Sequence, residues 1–67
     1  MNSDIIQGKW KQLKGSVQHK WGDLTDDEVD QIEGDATKLS GLIQERYGRT
    51  KEQAEEEIEE WQNSINA

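Results

Sequence analysis

Every glycine in the chain falls on one grid. The six glycines stand at positions 8, 15 and 22 and again at 34, 41 and 48, seven residues apart within each set. The segments they punctuate, GKWKQLKGSVQHKWG (8–22) and GDATKLSGLIQERYG (34–48), match at further positions. Leu13 stands opposite Leu39, Val17 opposite Ile43, Gln18 opposite Gln44, Lys20 opposite Arg46 and Trp21 opposite Tyr47. A threonine, Thr25 or Thr50, follows each final glycine. Self-similarity of this kind marks an internal repeat of one supersecondary unit. Here the unit is a glycine-spaced helix followed by a capped one. The repeat constrains architecture and leaves biochemical activity open.

Helical spacing runs through both halves. Ile6, Trp10, Leu13, Val17 and Trp21 fall within about 80° of arc on a helix. Ser3 is the expected cap of this first helix, and Gly22 the left-handed residue that ends it. A second helix is expected at Thr25, where Glu28 three residues on completes a capping box and Leu24 faces Val29 as a hydrophobic staple. Asp26 and Asp27 suit the positive end of its dipole, and Gly34 stops it. Asp35 is the expected cap of a third helix with its stripe at Ala36, Leu39, Ile43 and Tyr47, ended by Gly48. Thr50 and Gln53 form a second box, opening a fourth helix that presents Ala54, Ile58, Trp61 and Ile65. There is no proline to interrupt these helices and no period-two alternation to suggest a strand. The expected fold is all-α: a single domain over 1–67 with four short helices forming two crossed αα-hairpins. Neither hairpin can bury its own stripe, so the two should pack around Trp10, Trp21 and Trp61, with Trp61 the most exposed of the three.

Composition narrows the chemistry. With no cysteine, disulfides and thiolate metal sites are excluded. The lone histidine, His19, makes a structural zinc site improbable, and no cofactor is expected. Asp26, Asp27, Glu28 and Asp30 invite comparison with a calcium loop, but the sixth residue counted from Asp23 is Glu28 where glycine is needed. Ser3, Ser16, Ser40 and Ser64 lie in no nucleophile motif, so no enzymatic activity is expected. The N-terminal stretch lacks the basic and apolar regions of a signal peptide, and no apolar run reaches membrane-spanning length. The expected location is the cytoplasm.

Charge is distributed unevenly. Four lysines (Lys9, Lys11, Lys14, Lys20) against one acid give the first 22 residues a net charge of +3, and the rest carries −10 within a total of −7. The fourth helix holds six glutamates at spacings that place like charges together and disfavour the helix. Two readings follow: solubility together with attraction between the first and fourth helices, or an acidic docking face for a basic partner at Glu52, Glu55, Glu56, Glu59 and Glu60. Nucleic-acid binding through the four lysines is the weaker alternative, because a net charge of −7 repels phosphates. A monomer is expected.

The glycine grid, the WKQLKG run at 10–15, WGDLTDD at 21–27 and IQERYG at 43–48 resemble the CsbD-like proteins, and within them the enterobacterial type. The resemblance implies a small bacterial protein associated with the general stress response, with no established activity and no catalytic or binding residues to carry over. It also implies a bundle of crossed helical hairpins similar to SAM-domain topology, in agreement with the repeat. The combined expectation is a non-enzymatic stress-response protein acting by binding or by protective abundance.

Overall fold

A computed structural model of the chain describes residues 8–66. Four helices follow in order: α1 (Trp10–Lys20), α2 (Asp26–Ile32), α3 (Ala36–Tyr47) and α4 (Lys51–Asn66), with no strand among the described residues. Packing follows chain order, α1 against α2, α2 against α3 and α3 against α4. The expected cap at Ser3 and the stripe residue Ile6 lie outside the described residues.

Local chemistry sets most of the boundaries. Thr25 Oγ1 accepts the Glu28 N–H at 3.2 Å, and Glu28 Oε1 accepts the Thr25 N–H at 3.0 Å. This reciprocal pair satisfies two of the donors that a helix start leaves unpaired. Thr50 and Gln53 repeat it at 3.1 and 3.0 Å. Asp35 caps α3 by accepting from the Thr37 and Lys38 amides, and Gly48, at φ 63°, ends it in the left-handed conformation.

Two helix ends depart from the sequence reading. Gly22 is not left-handed. Trp21 itself caps α1, at φ −119°, with its N–H on Val17 O, and the chain turns when Leu24 N–H reaches Trp21 O at 3.1 Å. Burial of the Trp21 ring, 2% exposed, fixes the backbone here, so no positive φ is required one residue later. At the end of α2 the left-handed conformation falls on Glu33, φ 52°, as well as on Gly34, φ 80°. Placing a side chain there costs about 1–2 kcal/mol.

The core draws on every helix and on the first turn: Trp10, Leu13 and Val17; Trp21 and Leu24; Val29 and Ile32; Ala36, Leu39 and Ile43; Ala54, Ile58 and Trp61. Trp61 is 4% exposed and Trp10 6%, which corrects the expectation that Trp61 lies nearest to solvent. Its ring meets Trp21 edge-on, centroids 5.7 Å apart at 65°, a geometry that contributes about 0.5–1.5 kcal/mol beyond area burial. Its indole N–H donates to Ser16 Oγ at 2.8 Å, as the Trp10 indole does to Val29 O at 3.1 Å. These bonds tie down helix faces that area burial alone would leave free to slide. The Trp21 Nε1 is buried without a partner among the described residues, which costs about 1–3 kcal/mol.

Candidate partner surface

The inward positions of α4 are Ala54, Ile58 and Trp61, and the helical period turns the acids outward. Glu52, Glu56, Glu59 and Glu60 are exposed, and Glu55 is half-buried. None of these five enters an ion pair among the described residues. Glu57 differs: it accepts from the Arg49 Nε–H at 3.1 Å. Arg49, Gln53, Glu56, Glu57 and Glu60 together line a shallow polar depression of about 320 Å³.

Two of the N-terminal lysines are engaged elsewhere. Lys14 pairs with Asp30 of α2, and the Lys20 ammonium sits 5.6 Å from the Trp21 ring centroid. Lys9 and Lys11 are exposed. Among the described residues no ion pair joins α1 to α4, although Lys20 and Glu60 line one groove between them. A neutral hydrogen bond, Trp61 to Ser16, joins them.

Glu28 is the busiest charged group. Besides capping α2 it accepts from the Arg46 guanidinium of α3. The Thr25 amide and hydroxyl, together with the Arg46 charge, hold its carboxyl below the ordinary glutamate range. Tyr47 gives a further link between the halves, its hydroxyl accepting the Asp23 N–H at 3.1 Å.

Two grooves escaped the sequence reading. One, of about 450 Å³, lies between α2 and α3 over Ile32 and Leu42, with Glu28, Gln31 and Lys38 on its rim. The other, of about 380 Å³, lies between α1 and α4 and is lined by Ser16, His19, Lys20, Glu60, Trp61, Ser64 and Ile65. Among the described residues no group of three or more His, Asp or Glu side chains is placed to hold a metal ion, and no helix is long and apolar enough to cross a membrane.

Capped helices around a tryptophan core, with charged faces and shallow grooves on the surface, define a small all-α protein. A family profile described as CsbD-like matches residues 4–56, and the chain belongs to the CsbD-like family. It is similar to a UPF0337 protein of Bordetella pertussis, 61% identical over 61 residues covering 91% of this chain and 92% of that one. It is also similar to the UPF0337 protein YjbJ of Escherichia coli O6:H1, 53% identical over 92% of this chain and 90% of that one. The YjbJ protein of Salmonella typhimurium is 50% identical, covering 98% of this chain and 94% of its own length. These names carry a family label and no activity. No solved structure shows a significant match.

Proposed function

We propose that this is a non-enzymatic bacterial stress-response protein of the cytoplasm that acts by binding or by protective abundance, and that its binding face is the acidic side of α4. One observation carries the preference for binding. Glu52, Glu55, Glu56, Glu59 and Glu60 form no ion pair among the described residues, while Lys14 pairs with Asp30 and Lys20 lies beside the Trp21 ring. Like charges three and four apart weaken a helix. Retaining five of them on one helix, without a partner inside the fold, suits a complementary surface outside it. The partner class is a basic protein. Packing of α1 on α2 and of α3 on α4 supports the reading of the bundle as two crossed hairpins, which leave α4's outer side clear.

Co-purification from stressed cells tests this, using the parent chain and a variant carrying glutamine at all five positions. A basic protein retained by the parent and lost by the variant is the expected result. Equal retention by both would refute the docking face. The chain is expected to pass through a DNA column unretained at low salt, and salt-dependent retention would favour the α1 lysines as a nucleic-acid surface instead.

A further inference from the structure

The groove between α1 and α4 has a property that the acidic face lacks, since its two sides carry opposite charges. Lys20 stands on the α1 side and Glu60 on the α4 side, both exposed. They do not pair with each other, although they line the same groove. Between them lies the edge of Trp61, which is itself 4% exposed. Beside it stands Ile65, a large apolar residue left 36% exposed.

We infer that this groove receives a second copy of the chain. In a two-fold contact, whatever residue i of one copy touches in the other, the partner residue touches in return. Two such grooves face to face set Lys20 of each copy against Glu60 of the other, with the Ile65 side chains meeting between them. A partner of one charge sign would be attracted by one wall and repelled by the other. A second copy supplies both signs, in the required places, around an apolar centre. A groove of about 380 Å³ is small beside interfaces that bury about 1,600 Å² in stable complexes, and a charge of −7 on each copy opposes association. The contact is therefore weak and forms at high protein concentration. It shares Glu60 with the basic-partner reading, and Glu52, Glu55, Glu56 and Glu59 take no part in it, so changes at those four positions separate the two.

Sedimentation equilibrium of the full chain up to about 1 mM tests the inference with the single variants Lys20→Glu, Glu60→Lys and Ile65→Asp. All three sites are exposed, and circular dichroism melts confirm the fold of each variant. The parent is expected to dimerise reversibly. Each variant is expected to raise the dimer dissociation constant about tenfold or more. An equimolar mixture of Lys20→Glu with Glu60→Lys should recover the parent's association, because both exchanged pairs become attractive again in the mixed dimer. Glutamine at positions 52, 55, 56 and 59 should leave association intact. A parent that stays monomeric throughout the range overturns the inference. So does rescue that requires both changes in one chain and fails on mixing, since that would place the pair within a single copy. Unchanged association in Ile65→Asp would remove the apolar centre and with it the proposed contact.

Discussion

The indole N–H of Trp61 donates to Ser16 Oγ at 2.8 Å, joining residues 45 apart in the chain. This bond and the edge-on contact with Trp21 dock the last helix onto the first. Removing the acceptor with Ser16→Ala leaves a second tryptophan nitrogen without a partner, beside that of Trp21. A loss of about 1–3 kcal/mol is expected, read from urea unfolding with an unchanged slope. A neutral result would mean that water replaces the hydroxyl.

Trp21 is 2% exposed and meets Trp61 of the last helix edge-on. Trp21→Ala should cost about 3–5 kcal/mol, which in a domain of 67 residues approaches global unfolding. Thermal melting followed by far-ultraviolet circular dichroism checks this. A melting temperature within a few degrees of the parent would contradict the packing described above.

The capping box at Thr25 predicts both a mutation effect and a pH dependence. Thr25→Ala is expected to cost about 0.5–2 kcal/mol. Glu28 binds its proton less readily in the folded chain than in the unfolded one, because the Thr25 amide and Arg46 stabilise its carboxylate. Its contribution is therefore complete above the ordinary glutamate range and is lost as the pH falls through the lowered folded value. Glu28→Gln keeps an oxygen for the Thr25 amide and gives up the titration. Its stability should fall less steeply than the parent's on the acid side. Parallel acid limbs for parent and variant would show that Glu28 contributes nothing to the acid sensitivity.

Helix starts were legible in the sequence because their chemistry is local. Thr25 with Glu28, Asp35 alone, and Thr50 with Gln53 each complete a cap within three residues, and each is present as read. Helix ends were less legible. Gly48 takes the left-handed turn, whereas Gly22, its counterpart in the repeat, does not. The difference lies in Trp21, whose burial dictates the turn, while Tyr47 at the equivalent place is half-buried and reaches back to the Asp23 amide. Glu33 gave no signal, because its positive φ is imposed by closure of the chain between α2 and α3. The acidic face was legible from spacing. That its charges lack an answering helix inside the fold was not, since Lys14 could reach either Asp30 or α4 until the register of the helices was known.

Glu33 and the grid glycines test opposite sides of backbone preference. Glu33→Gly should stabilise by about 1 kcal/mol, by removing a side chain from the left-handed region. Gly15 and Gly41 are exposed within helices, and a methyl group at either would meet nothing within 4 Å. Gly15→Ala with Gly41→Ala should therefore stabilise by about 1–2 kcal/mol together. Differential scanning calorimetry on the two variants checks both, and a lower melting temperature for the alanine pair would mean that these helices pack more closely than described.

Glu52, Glu55, Glu56, Glu59 and Glu60 have no ion-pair partner among the described residues, and the stability of a charge-neutralised chain tests whether the fold holds them. Glu52, Glu55, Glu56, Glu59 and Glu60 are replaced by glutamine, and unfolding is followed by urea at low and at high salt. If the acids only repel one another, the variant should exceed the parent by about 0.2–0.5 kcal/mol for each like-charged pair removed. The gain should shrink as salt screens the parent's repulsion. A variant less stable than the parent at low salt, recovering toward it as salt rises, would show instead that these acids are held by cations within the fold.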